Sequence, residues 1–481
     1  MSLTSADVLL RHGHILTMDA ERRVLVDGAI AISGDRIIAV GTDRDIAATY
    51  TAPIVKDLRF GLVHPGLIDA HAHAGSMETI RGFTPKDTAN WEIVEHELWP
   101  FRSPETDYLG TLLDAMEMVR NGVTLYSDTG GSKWLGETVR ALNTVGIRGL
   151  PGNSILDGYL AVDEEELADP RFGSMPPSEI EVLGTPTDEA LLLLRDQLDT
   201  YPFVDGGRVR CVITLFGSGR ITDRLYRECM IMADEYQVPI IMHQSWGPEE
   251  VTGSLRQHGK RPLEHLADIG MLRPGLTLVH MIHLDEKELE LVIESGVSVV
   301  HCPAASMRRG MGALRKGSHP EMLAANVPVA LGSDGYSGKR DVLRQAYLAA
   351  VGFREARDDI PVITGETALE MATVHGATAL GMSDEDELEK FVEMLSTPAH
   401  KEWLETASDE EFDEWLDGLS PEQLDLAGQV ASDGIAAAEK TSFVGDLLRV
   451  AVALAAIIGI AVGVGLGVWD ILVEAWETRR F

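Results

Sequence analysis

The sequence predicts an α/β fold, a (β/α)8 barrel, from three observations: eight short apolar runs, helical patterns between them, and polar residues or glycine at their ends. The runs are GLIDAHAH (66–73), GVTLYSD (122–128), IRGLPG (147–152), VRCVITLFG (209–217), VPIIMH (238–243), LTLVH (276–280), VSVVHC (297–302) and VPVALGSD (327–334). Nearly continuous apolar strands of this kind suit a parallel sheet covered on both faces. Helical spacing of apolar residues marks 104–122, 187–201, 222–237 and 285–296 between them. A helix near 340–357 and another over 364–382 follow the last run, so the barrel is expected to span 61–382.

The flanks read differently. Residues 1–60 form a small β unit, with Gly34-Asp35 as a hairpin signal between β-rich runs. Residues 383–442 hold eighteen Asp and Glu against three Lys, and helix-start signals at Thr397-Pro398, Ser408 with Glu411, and Ser420-Pro421 with Gln423 predict three short acidic helices capping the barrel. Residues 443–481 contain an uncharged run, 450–469, of bilayer-spanning length, with a small-residue stripe at Gly459, Gly463 and Gly467. That segment is expected to contact a membrane as an anchor.

Composition narrows the function. A net charge of -35 excludes the clustered basic surface that nucleic acid requires. Three isolated cysteines, Cys211, Cys229 and Cys302, offer neither a disulfide framework nor a CxxC site. With no secretory pattern at the N-terminus, a cytoplasmic enzyme is expected, working as a homo-oligomer on a small molecule.

The chemistry lies at the run ends. His71 and His73 stand two apart on a strand, so both imidazoles point to one side. His243, His280 and Asp334 end later runs, and strand ends of a barrel converge on one mouth. Four imidazoles and a carboxylate assembled there predict one divalent metal ion, zinc or iron, because magnesium and calcium prefer oxygen ligands. The ion would acidify a bound water, with Asp334 placed to take its proton and His280 to stabilise the developing charge.

HPGLIDAHAH, MHQS, LVHMIHLDEKEL, VVHCPAAS and ALGSDG together resemble the amidohydrolase superfamily, in its cytosine-deaminase-like branch of aminohydrolases and chlorohydrolases of N-heterocycles, including s-triazines. The resemblance runs from about residue 6 to residue 382. It implies that His71, His73, His243 and Asp334 ligate a single zinc or iron, that His280 is the non-ligand histidine beside the water, and that the reaction is deamination of a heterocyclic ring. The chain departs from the family at Trp246, where many members carry a proton-shuttling Glu, and at Ala305-Ser306, where a Ser-Asn pair is common. It also lacks the strands with which family members complete a β-sandwich after the barrel.

Gln244, Trp246 and His301 are the expected substrate contacts, with Glu249 or Glu250 as further candidates for the missing acid. Trp91 and Trp99 could stack on a ring or pack a loop. Arg308, Arg309, Arg315 and Lys316 form a basic island that could receive an anionic substrate but is expected to be a solvated loop, and His319 is expected to be a structural or surface residue. Two other readings stand beside deamination: dechlorination or cyclic-amide opening at the same site, and a catalytically silent membrane-associated scaffold.

Overall fold

The computed structural model describes residues 3–75, 79, 101–153, 155–157, 185–203, 207–217, 220–335 and 338–382. The expected acidic helices (383–442), the apolar segment with 450–469, and Trp91 and Trp99 lie outside these residues. The chain divides into two compact units at Gly381. Among the described residues no helix is long and apolar enough to cross a membrane.

The first seven strands are β1 (Thr4–Ser5), β2 (Val8–Leu16), β3 (Val24–Ser33), β4 (Arg36–Thr42), β5 (Tyr50–Thr51), β6 (Ile54–Asp57) and β7 (Leu62–Val63). They form a sheet in the order β4-β3-β2-β6, with β7 on β2, and a separate β1-β5 pair. Helix α1 (Asp43–Thr49), capped by Thr42, closes a small core of Ala6, Leu9, Ala29, Ala31 and Ile46. Ile15 and Ile30 of this sheet are also buried, whereas Val24, Val26, Ile37 and Val55 are exposed.

Eight parallel strands follow, one for each predicted run: β8 (Leu67–Ala72), β9 (Val123–Asp128), β10 (Arg148–Pro151), β11 (Ile213–Leu215), β12 (Ile240–Gln244), β13 (Leu276–His280), β14 (Ser298–His301) and β15 (Val329–Leu331). They pair in sequence order as a three-stranded and a five-stranded sheet. Isolated parallel bridges run between the two sets, Ala72 to Asp334 at one end and Gly149 to Val209 and Ile155 to Leu215 at the other. Every residue of β8 and of β11 to β15 is buried, as expected of strands covered on both faces.

Helices follow the strands: α2 (Pro104–Arg120), α3 (Leu135–Val145), α4 (Thr187–Thr200), α5 (Asp223–Tyr236), α6 (Pro248–His258), α7 (Pro262–Asp268), α8 (Glu286–Ser295), α9 (Pro303–Arg309), α10 (Ala313–Lys316), α11 (His319–Ala324) and α12 (Val342–Arg357). Their ends obey local chemistry. Ser103 and Thr106 form a capping box at α2 with Pro104 at its first position, and Asp285 and Glu288 form another at α8. The helix expected over 364–382 is instead two, α13 (Gly365–Met371) and α14 (Val374–Ala379). The break falls where the Ala372 carbonyl leaves the helical pattern to accept the Ile68 N–H of β8 at 2.9 Å.

Candidate metal centre

The ends of β8, β12 and β13 and the turn after β15 bring His71, His73, His243, His280 and Asp334 together. The His71 ring stands edge-on to those of His73 and His243, with both centroid separations 4.8 Å, and His280 lies 5.6 Å from it. His73 and His243 are stacked, their Nε2 atoms 3.3 Å apart. Asp334 Oδ1 is 3.7 Å from His71 Nε2 and 3.5 Å from His73 Nε2. His71, His73 and His243 form one group of mutually close ligand atoms, and His71, His280 and Asp334 another, so the five residues surround a common point.

The donor chemistry fits a divalent ion. His71 is completely buried, with Nδ1 bonded to Thr129 Oγ1 at 3.0 Å, while its Nε2 makes no hydrogen bond and faces the Asp334 carboxylate. One ring nitrogen held by a hydroxyl and the other left open is the arrangement of a metal-ligating imidazole. Burial, reinforced by the neighbouring imidazoles, holds His73 and His243 well below the ordinary histidine range, so their lone pairs are available at neutral pH. Burial also pushes His280 down to about 3. For Asp334 burial acts in the opposite direction, but the charge of Arg309 and the surrounding histidines outweigh it and hold the carboxyl well below its usual range.

Backbone strain accompanies the site. His280 has φ +80° and Asp334 φ +60°, left-handed conformations that non-glycine residues adopt only when their surroundings enforce them. His319 Nε2 binds the His280 carbonyl at 2.8 Å, and the Asp334 N–H donates to the His71 carbonyl at 2.9 Å. Gly217, at φ +71°, lies so close to His243 that a Cβ there would stand 2.0 Å from the His243 carbonyl oxygen.

The central support is a buried ion pair that sequence reading missed. Arg340, wholly buried, makes two 2.9 Å hydrogen bonds to Asp114 of α2. It also donates to the His73 carbonyl at 2.8 Å, to Ser333 Oγ at 3.0 Å and to the Asp334 carbonyl. One guanidinium therefore fixes the backbone of two of the metal-site residues. The available signal was Asp107 and Asp114, seven residues apart and on the otherwise apolar stripe of α2 with Ala115 and Met118.

Two expected substrate residues, Gln244 and His301, lie away from the metal cluster. Gln244, expected at the substrate, follows His243 on a strand and so points to the opposite face. It lines a cavity with Tyr226, Glu250, Ser254 and the helix residues His258 and His265. His301 is 1% exposed and packs on His319 and Phe353, outside the metal cluster. Trp246 is half-buried and its N–H donates to Glu250. Glu250 accepts the N–H groups of Ser245, Trp246 and Gly247 at 2.6, 2.8 and 3.1 Å, which makes it a cap of the strand end. Within the basic island, Arg309 is not a solvated residue: its Nη1 lies 3.3 Å from Asp334 Oδ2, and Arg308 donates to the Gly335 carbonyl.

Comparison with known proteins gives the family. The sequence profile of the amidohydrolase family matches residues 62–386. A 5-methylthioadenosine/S-adenosylhomocysteine deaminase from Syntrophobacter fumaroxidans is 31% identical over 389 residues, covering 79% of this chain and 82% of the relative. A protein of the same name from Halobacterium salinarum is 31% identical over 74% of this chain and 76% of its own length. Among solved structures, a zinc-bound adenosine deaminase from Xanthomonas campestris superposes with a TM-score of 0.66 and 26% identity, covering 80% of this chain and 82% of that one. The atrazine chlorohydrolase of Arthrobacter aurescens has the same TM-score at 23% identity, over 78% and 83% of the two chains, a likeness of fold alone. The profile match, the two deaminase relatives and the cluster of histidines with Asp334 agree: this chain belongs to the amidohydrolase family of metal-dependent hydrolases.

Proposed function

We propose that the chain is a zinc-dependent aminohydrolase that removes the amino group of a 6-aminopurine held in a nucleoside or nucleoside-like molecule. The observation that carries this is the cluster of His71, His73, His243, His280 and Asp334 at the strand ends, buried but for the edge of His73. The substrate class follows from the names of the relatives that align along most of the chain and from the zinc-bound adenosine deaminase. We read the eight parallel strands as a closed (β/α)8 barrel. Its support is the set of isolated bridges between the ends of the two sheets, and it places the cluster at the mouth where such enzymes work.

His71, His73, His243 and Asp334 would hold a single zinc, which when bound supplies a water acidified towards neutrality. Asp334, ionised across the working pH range, accepts the proton of the attacking water. His280, kept neutral by burial, offers a hydrogen bond to the developing charge at the ring carbon. Trp246 stands where many family members carry the relay Glu, and Glu250 is already committed to three backbone donors. We assign ring protonation to Glu249, whose buried Oε2 makes no hydrogen bond.

The test is ammonia release by zinc-loaded protein across adenosine, 5′-thioether adenosines, free aminopurines, aminopyrimidines, pterins and triazines, with Asp334→Asn as the blank. Release from the adenosine-type compounds by wild type alone is expected. Silence from all of them by protein with verified zinc would overturn the substrate class, and a release confined to triazines or pyrimidines would replace it.

A further inference from the structure

A second group of metal-capable side chains lies among the helices, away from the five residues above. Asp223 is the first residue of α5, His258 the last of α6, and His265 sits within α7. Their ligand atoms all lie within 4.8 Å of one another. His265 Nε2 meets Asp223 Oδ1 at 2.7 Å, and the His258 ring is stacked on that of His265 with centroids 3.6 Å apart and planes 13° from parallel. All three are half-buried, which leaves an approach from solvent.

We propose that Asp223, His258 and His265 form a second divalent transition-metal site, with zinc as the fitting ion. Two imidazoles and one carboxylate are a donor set that zinc takes and that magnesium and calcium do not favour. The ligands of a tetrahedral zinc stand about 3.4 Å apart, given bonds of about 2.0–2.1 Å, so Asp223 Oδ1 and His265 Nε2, now 2.7 Å apart and sharing a proton, would open by under about an ångström as the ion replaces that proton, while His258 closes in on them. His258 has the freedom to do so: it makes no hydrogen bond among the described residues, only the ring contact. Its imidazole is held below the ordinary range by burial and then by His265, so a lone pair is present at neutral pH.

The remaining contact on Asp223 is Arg227 Nη2, 3.4 Å from Oδ2 and more than half exposed. That oxygen can be released at little cost, since solvent screens an exposed pair. The other candidate group away from the strand ends, His12 with Asp27 and the buried Asp43, differs here. Asp43 is already bound by Arg11 through two hydrogen bonds of 2.8 and 2.5 Å, so its charge is met without a cation.

The position gives the site a role. His258 and His265 line the same cavity as Gln244 and Glu250, and Glu250 caps the end of β12 that carries His243. An ion joining α5, α6 and α7 would fix the outer wall of that cavity and, through Glu250, the strand end behind the first metal ligand. It is a structural ion, with three helices as its load.

Metal counting on the dialysed full-length protein tests this, using zinc, with four proteins compared: wild type, His258→Gln, His71→Gln/His73→Gln, and all three changes together. The expected zinc per chain is two, one, one and none. In the His71→Gln/His73→Gln protein, cobalt should give the visible bands of a low-symmetry site, and adding His258→Gln or, as a milder change, Asp223→Asn should remove them. One zinc in wild type that survives His258→Gln, or two that survive both His258→Gln and Asp223→Asn, would overturn the proposal. Because the first centre is counted separately, loss of that site alone leaves the result for the second intact.

Discussion

The two faces of β12 compare two ways of assembling metal-capable side chains. His243 looks to the cluster at the strand ends, where every ligand is carried by a parallel strand or the turn beside it and all but the partly exposed His73 are buried. Gln244 looks the other way, to a cavity walled by helix residues, with the half-buried Asp223, His258 and His265 near its rim. On the strand side, hydrogen bonds to the backbone carbonyls of His71, His73 and His280, and left-handed φ values at His280 and Asp334, hold these residues before any ion arrives. On the helix side the ligands sit on three separate helices and hold one another only through one hydrogen bond and one ring stack. The strand-borne set is preorganised for chemistry, whereas the helix-borne set needs the ion to draw it together.

The sharpest way to break that contrast is at the strand-end carboxylate. Asp334→Asn removes a ligand and the base together, and ammonia release should fall by at least about 10³-fold, the scale of a lost general base. The helix-side variant His258→Gln should leave the rate within a few-fold of wild type. Equal losses in the two variants would make the two sites one functional unit and end the distinction.

Next in size is the buried support. Arg340→Met strands Asp114 without its partner inside the protein, which costs roughly 3–5 kcal/mol for a buried pair. Urea unfolding should show it, and the Arg340→Met/Asp114→Leu double variant should recover much of the loss in stability. Activity should not recover with it, because the carbonyls of His73 and Asp334 remain without their donor. Recovery of both would reduce Arg340 to a packing element.

A pH experiment addresses the histidine layer beneath. His319 is buried against His301 and Phe353, and burial pushes it down to about 4; the charge of Arg357 lowers it further and its bond to the His280 carbonyl opposes this. Between about 6.5 and 4 the unfolded chain takes up a proton that the folded one refuses, so folding stability rises with pH across that window and is flat above it. The contribution is on the order of 3 kcal/mol over the whole window. Unfolding at pH 7.5 and pH 5 should therefore differ more for wild type than for His319→Gln. An unchanged difference would show that another buried group dominates the acid response.

How much of this was legible beforehand depends on the kind of order involved. His71 and His73 could be read because a strand repeats every two residues, and the capped helices because Ser103 or Asp285 signals its start within three positions. Arg340 and Asp114 could not be paired, since they are 226 residues apart and nothing local links them. Arg309 was misread for the same reason, as its partner Asp334 belongs to a different βα unit. Gln244 is a different case. The alternation that places His71 and His73 together also turns Gln244 away from His243, so its direction is written in the same strand period.

The carboxylates after His243 give a smaller effect that separates support from chemistry. Glu250→Gln keeps the shape but weakens a charged acceptor shared by three N–H groups, a loss of about 1.5–3 kcal/mol in stability with kcat nearly retained. Glu249→Gln should do the reverse, leaving unfolding unchanged and lowering kcat by about 10²-fold or more. If Glu250→Gln instead takes the larger share of kcat, the cap and the relay are the same residue.

The smallest effect concerns Trp246, which the family pattern would give to a Glu. A half-buried indole beside a metal ligand adds an apolar face, and a planar ring resting on it gains about 0.5–1.5 kcal/mol beyond its buried area. Trp246→Ala should then raise KM for purine substrates by roughly 2- to 12-fold with kcat little changed, the pattern of lost uniform binding. Trp246→Glu restores the family's residue where Glu249 now serves. If Glu249 is the relay, this variant should tolerate Glu249→Gln, because a carboxylate has been returned to the position from which many relatives protonate the ring. A variant that remains as impaired as Glu249→Gln alone would mean that the strand end of this chain no longer presents position 246 to the substrate.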